Sequence, residues 1–448
     1  MKIIKRMHTF TAALVLLAGA VLPQAHAGVA ERVQRATVGS VDVVVYPMDV
    51  KDVVTVMGVM PLGDAAVASR AINPALPNLT AMLVQQGTTA HDKYQIADTL
   101  SALGAEMSID AGDTELRIRG KSLAHDMPTV LGLLVEQLRT PAFAESEFQQ
   151  ARAQFGAMLQ QVGDNPDARA YQTLLGSLFP ATSPNAAVPL ETLQKAVATV
   201  TLEQIKAFHA RYFGPDHMIL VFTGDVSLAQ ARAAVTKAFA GWHGGVDFVR
   251  DAAGTPVRAA ARVAVPMQDK ASVSVMWGQP TGLDHAAADY LPLSLGVDVL
   301  GSGFTGRLMS SVRDQEGLTY GIGANLFGDD VVSGGFMMQA TFAPELLGKG
   351  IASSERELQR WWRGGITARE LAARKQSLSG AWQLQMGTTG GMAHTLLSTL
   401  VRGQDLAWID RYPQALHALT LEQVNQAIRS HLDPATLLRV EAGSLPKS

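Results

Sequence analysis

Few residues of this chain could do chemistry, and the spacing of most of them argues against it. Cysteine is absent, which removes disulfides, thiolate metal sites and a thiol nucleophile. Nine histidines lie between His91 and His431, and no two are four residues apart. None belongs to H-x-x-E-H or H-E-x-x-H, the patterns that set two imidazoles one helical turn apart around a metal. Ser302, Ser310 and Ser311 lack the G-x-S-x-G elbow of a nucleophilic serine, and there is no P-loop or EF-hand pattern. Gly301 to Gly306 spells G-x-G-x-x-G, but a helix-like stretch precedes it where a dinucleotide fingerprint needs a strand. Asp329-Asp330 reads as the tip of a hairpin, and Trp361-Trp362-Arg363 as packing at a helix end. Arg313 and Tyr320 remain, in the run Val312-Arg313-Asp314-Gln315-Glu316-Gly317-Leu318-Thr319-Tyr320. An arginine is a permanently charged donor and a tyrosine hydroxyl a neutral one. A helix ending at Gly317 and a strand starting near Tyr320 can bring the two together. Taken alone, the same residues read as a solvated helix arginine and a strand tyrosine packed in the core.

The elements that must position these residues are legible. Val41–Tyr46 and Val53–Met60 are valine-rich strands. Ile96, Leu100 and Leu103 share one helical face, and Gly104 ends that helix. Leu116 and Ile118 alternate with charged neighbours, the pattern of a half-buried strand. Apolar-striped helices follow through Phe179. Later, Ala271–Trp277 reads as a strand and Asp284–Val312 as largely helical. Tyr320–Phe327 and Val332–Phe342 read as a hairpin about Gly328-Asp329-Asp330, and long helices fill Pro344–Val401. Strands and helices are grouped rather than strictly alternating, which predicts an α+β fold.

An internal repeat organises the chain. Thr201-Leu202-Glu203-Gln204-Ile205 recurs as Thr420-Leu421-Glu422-Gln423-Val424, and the register holds through Pro215/Pro434, Val221/Val440 and Gly224/Gly443, at an offset of 219. Each copy reads as a capped helix, a proline turn and an apolar strand. A weaker echo pairs Glu147 with Glu370 at an offset of 223. A period this long means two homologous domains in tandem, not a solenoid. The expected boundaries are 28–242 and 261–448, with a glycine- and proline-bearing linker at 243–260.

Ahead of them, Lys2, Lys5 and Arg6 precede an apolar run from Thr11 to Leu22, and Ala25-His26-Ala27 fits a small-x-small cleavage rule. Residues 1–27 are therefore expected to be a signal peptide, and 12 apolar residues are too few to span a bilayer. Cleavage would leave 421 residues with a formal charge of −6. That charge gives no reason to expect nucleic acid or an anionic membrane as a partner. The expected location is the periplasm, with no membrane anchor.

The glycine-rich segment ending in Arg307-Leu308, followed by V-R-x-x-x-G-L-x-Y, resembles the C-terminal domain signature of the insulinase/pitrilysin zinc peptidases. The resemblance covers about Ala30 to Gly443, and it implies two tandem domains, each a mixed, mostly antiparallel sheet packed with helices. In that family an arginine and a tyrosine at this spacing donate hydrogen bonds to the substrate carbonyl that the zinc polarises; Arg313 and Tyr320 occupy those positions. The family's H-x-x-E-H motif is followed closely by Gly-Thr. Counting back from Gly87-Thr88, it falls on Asn78-Leu79-Thr80-Ala81-Met82. Asn78 and Met82 replace the two histidines and Ala81 the general base. The third ligand is a glutamate shortly before a D-x-P turn; Asp164-Asn165-Pro166 matches the turn, and Met158 is the nearest equivalent of the ligand. The resemblance thus implies a subunit with no metal or cofactor of its own, paired with a homologous zinc-bearing peptidase chain. Peptides or unfolded polypeptide would be the substrate. The alternative is a non-catalytic scaffold or peptide-binding homologue.

Overall fold

The computed structural model describes residues 28–112, 114–250 and 261–445. The expected signal peptide, and residues 251–260 of the expected linker, lie outside the described residues. The first half contains α1 (Val29–Arg32), β1 (Gln34–Val38), β2 (Val41–Pro47), β3 (Val53–Pro61), α2 (Ala65–Ile72) and α3 (Leu76–Leu83). It continues with α4 (Lys93–Leu103), β4 (Glu106–Ala111), β5 (Glu115–Leu123), α5 (Met127–Arg139), α6 (Glu145–Asp164) and α7 (Pro166–Leu178). α8 (Leu190–Thr199), α9 (Leu202–Tyr212), β6 (Ile219–Gly224) and α10 (Leu228–Ala238) complete it. The second half runs β7 (Arg262–Pro266), β8 (Val273–Pro280), α11 (Tyr290–Gly301), β9 (Ile322–Phe327), β10 (Gly335–Phe342) and α12 (Leu347–Gly364). α13 (Ala368–Met386), α14 (Thr389–Val401), α15 (Ala407–Ala418), α16 (Leu421–His431) and β11 (Leu438–Gly443) follow.

Two sheets result, ordered β1-β2-β6-β3-β5-β4 and β7-β11-β8-β10-β9. Only β2–β6 and β7–β11 pair in parallel; the other neighbours are antiparallel. The α+β expectation, with mixed and mostly antiparallel sheets, is met. The repeat is visible in the backbone. The T-L-E-Q copies are capping boxes: Thr201 and Thr420 each accept from the glutamine backbone three residues on, and each glutamine side chain reaches back to the cap N–H. The two helices lead into β6 and β11, which occupy equivalent places beside β3 and β8.

Each half lends a helix to the other. The face of α7 carrying Ala170, Leu174 and Leu178 packs on Met276, Met337 and Val440 of the second sheet. The face of α14 carrying Met392, Leu396 and Val401 packs on Val44, Tyr46, Val59 and Val221 of the first. This explains the nearly unbroken apolar run of β2. Val41, Val43 and Val45 face the first half's own helices, and Val44 and Tyr46 face α14. Strands buried on both faces lose the alternation of a half-exposed one.

The hairpin after β9 departs from expectation. β10 begins at Gly335, not Val332, because Val331 and Val332 leave the sheet and are buried against the outer face of the first. Asp329 is no exposed tip either: it is 8% exposed. The strand expected near Tyr320 starts two residues later, at Ile322. Trp361 and Trp362 do pack at a helix end, donating indole N–H groups to the carbonyls of Gly296 (3.1 Å) and Leu432 (2.6 Å). No helix among the described residues is long and apolar enough to cross a membrane.

Candidate functional site

Arg313 sits on a π-helical segment, Met309–Gln315, which ends where Gly317 N–H returns to Arg313 O (2.9 Å) and Leu318 N–H to Val312 O (3.0 Å). Gly317 takes a left-handed φ of +64°, which glycine adopts without a Cβ clash. The chain then reverses toward Tyr320, held by Thr319 Oγ1 at 2.6 Å from Thr341 O on β10. The result brings the two sequence-predicted residues together: the Arg313 guanidinium lies 5.2 Å from the centroid of the Tyr320 ring. The ring of Phe304 also lies close to the guanidinium, at 5.3 Å. Both aromatics are exposed, Tyr320 at 88%. The reading of Tyr320 as a core residue is thereby excluded. Phe304 is a site residue that sequence reasoning missed; its signal was an aromatic placed inside a glycine-rich run.

The glycine run has a steric cause. A Cβ on Gly301 would fall 2.0 Å from the backbone nitrogen of Ala324 on β9. A bare α11 C-terminus therefore lies against β9, and this close approach places the turn bearing Phe304. Phe304, with Met309, Ile322 and Thr341, walls a cavity of about 630 Å³ that neighbours the pair, although neither Arg313 nor Tyr320 lines it. Two ion pairs anchor the surroundings. Glu316 accepts from Ser353 (2.8 Å) and Arg356 (2.7 Å) on α12, and these two bonds hold its carboxyl below the ordinary range. Arg307 meets Glu370 in a two-pronged contact at 2.6 and 2.7 Å. Burial alone would raise the Glu370 pKa; donation from Arg307 and Thr367 overrides it and brings it down to about 2. The weak sequence echo is structural here. Glu147, its counterpart on α6, pairs with Lys93 at 2.7 Å.

The counterpart of a zinc motif lies on α3. Asn78 is exposed, Ala81 is 4% exposed and Met82 is half-buried. Met158, on the neighbouring helix α6, is 47% exposed. An amide, a methyl and two thioethers do not fit zinc, which takes imidazole, thiolate or carboxylate. Ala81 cannot take a proton. The Asp164-Asn165-Pro166 turn is as expected, with Asn165 capping α7.

Among the described residues, one group could present several ligand atoms to a metal, and it lies elsewhere: His285, Asp329 and Asp330. His285 Nε2 is 3.4 Å from Asp329 and 3.9 Å from Asp330. Cations already serve Asp330, with Arg402 at 2.9 Å and Arg117 of β5 at 3.6 Å. Burial and the Arg402 charge push the His285 pKa down to about 3, against the pull of Asp330. Burial raises that of Asp329. Because Arg117 comes from the first sheet, this network ties the two halves together.

The sequence pattern of the peptidase M16 inactive domain matches residues 199–378. The non-peptidase homolog YmxG of Helicobacter pylori is 23% identical over 365 residues, covering 80% of this chain and 82% of its own. An uncharacterized zinc protease of Streptomyces coelicolor is 25% identical over 391 residues, covering 82% and 81%. Among solved structures, a peptidase M16 inactive domain from Pseudomonas fluorescens superposes with a TM-score of 0.82 at 24% identity, over 93% of this chain and 98% of that one. Residues 199–378 thus carry the pattern of a peptidase M16 inactive domain, and over most of its length the chain is similar to M16-type proteins, in line with the insulinase/pitrilysin resemblance.

Proposed function

We propose that this chain is the non-metal subunit of a heteromeric periplasmic zinc peptidase. A homologous partner carrying H-x-x-E-H would hold the zinc and the general base. This chain would supply Arg313 and Tyr320 as donors to the carbonyl oxygen of a bound peptide or unfolded segment. Preorganised donors aimed at developing oxyanion charge are worth about 2.7–4 kcal/mol each in acyl-transfer sites. The observation that carries the reading is an asymmetry. The face of α3 holds no zinc ligand, while Arg313 and Tyr320 stand together and exposed beside a cavity large enough for a peptide segment. The edge strands β4 and β9 offer main-chain partners for an added peptide strand.

The test is co-expression with an exported H-x-x-E-H homologue from the same genome, then peptide hydrolysis by each chain and by the mixture. The expected result is a complex that cleaves, with this chain inert alone. Arg313→Ala in that complex should lower kcat by on the order of 10²–10³. A mixture that neither associates nor cleaves would sink the proposal.

A second reading, a non-catalytic scaffold or peptide-binding protein, is favoured by the name of the Helicobacter relative, which is called a non-peptidase homolog. It predicts that Arg313→Ala leaves any partner activity intact.

A further inference from the structure

A second cavity, of about 750 Å³, lies among the helices of the second half and shares no lining residue with the cavity beside Arg313. α11, α13, α14 and α15 wall it, and its surface is unusually aromatic. Trp382 and Tyr412 stack obliquely with ring centroids 4.4 Å apart, and Trp408 meets Tyr412 edge-on at 6.2 Å. Clefts of 300–1,000 Å³ between helices, apolar with a few polar groups, are the usual form of a small-ligand site.

Most polar groups of the lining are hydrogen-bonded within the protein, as Gln385, Thr399 and Gln404 are, but three donors stand apart. The indole N–H groups of Trp277, Trp361 and Trp362 each donate to a protein oxygen. Among the described residues, those of Trp382 and Trp408 donate to none. Arg411, on the same wall, has no acidic partner among the described residues. The acid lining the cleft, Asp405, accepts from the backbone N–H of Ala407 at 3.1 Å. Arg402 is already engaged with Asp330 at 2.9 Å. Flat aromatic faces beside a free guanidinium and two free indole donors suit a carboxylate attached to an aromatic body.

We propose that this cleft binds the α-carboxylate of an aromatic residue, with Arg411 on the carboxylate and the Trp382, Trp408 and Tyr412 rings on the side chain. Two sources share that chemistry: a free aromatic amino acid and the C-terminus of a peptide. The site stands whether or not Arg313 acts with a partner.

The experiment is isothermal calorimetry on the chain starting at Gly28, with three probes: N-acetyl-phenylalanine, its uncharged amide, and Gly-Gly-Phe. Saturable binding of the acid is expected with Kd on the order of 0.1–1 mM, the range open to a ligand of this size. The amide should bind about tenfold more weakly, since it forfeits the charged pairing with Arg411. Arg411→Ala should bind the acid about as weakly as the wild type binds the amide. Arg411 is exposed and has no ion pair among the described residues, so the variant should melt with the wild type, and Arg411→Lys should recover part of the affinity. Comparable affinity for Gly-Gly-Phe would assign the site to peptide ends, and preference for the acetylated residue to free amino acids. No saturable heat from any probe up to about 10 mM, a range covering the weakest useful affinities, would overturn the proposal. So would equal affinity for acid and amide, or an Arg411→Ala variant that binds the acid like the wild type.

Discussion

At the scale of single residues, the site depends on side chains locked from behind. Arg307 and Glu370 are the clearest case, because the carboxylate is partly buried and held at a pKa of about 2. A carboxyl depressed from its unfolded value of 4.5 contributes stability that is complete above that pH and lost as the pH falls toward 2. Glu370→Gln should therefore cost about 1–2 kcal/mol at neutral pH after allowance for solvent screening, and flatten the acid limb of the stability curve between those values. Urea melts at several pH values would show it; an unchanged acid limb would mean the pair contributes little. Arg313 has no such ion pair among the described residues and lies instead against two aromatic rings. Phe304→Ala should leave stability within about 0.5 kcal/mol, as for an exposed residue. It should nonetheless lower the activity of a reconstituted complex if guanidinium placement matters.

At the scale of elements, caps and close approaches carry the argument. Thr201 and Thr420 start equivalent helices with equivalent capping boxes. Replacing either with alanine should cost about 1 kcal/mol, and the double change about the sum, since the caps share no partner. Gly301 is a different kind of constraint. A methyl there would collide with the Ala324 backbone, which cannot move aside as a flexible side chain can. Gly301→Ala should force α11 off β9, lower the melting temperature by several degrees and displace the turn bearing Phe304. An unshifted melt would show that β9 yields more readily than its place in the sheet suggests.

At the scale of the whole molecule, the halves are homologous but not self-contained. Sheet one is covered by α14 and sheet two by α7. A fragment of residues 28–242 would leave the outer face of its sheet bare and strand α7 without a partner. Each half expressed alone should lack a cooperative melt, and mixing them should restore one. Independent cooperative melting of either fragment would contradict this. The clamp at His285 predicts a pH dependence of its own. Its imidazole is buried neutral, with the pKa lowered from 6.5 to about 3, facing Asp329, Asp330, Arg402 and Tyr290. Stability is thus complete above pH 6.5 and falls as the pH drops toward 3, by a few kcal/mol. His285→Asn should remove the part of that decline lying above pH 4.5, where Glu370 does not yet titrate.

Much of this was legible in the chain itself. The doubling into two similar sheets followed from a repeat whose residues cap helices and turn chains, jobs that local chemistry does alone. The chemistry of the α3 face followed from residue types: no arrangement of Asn78, Ala81 and Met82 makes a zinc site. The Arg313–Tyr320 pair was readable because the two lie seven positions apart and a glycine turn can close that gap. What required the tertiary structure was every relation between distant segments. Asp329 buried beside His285, and Val331 leaving the hairpin to cover the other sheet, both depend on partners tens to hundreds of residues away. The exchange of α7 and α14 belongs to the same class. A helix displays its apolar face in the sequence, but which of two similar sheets receives it is decided only when both are present to compete for it.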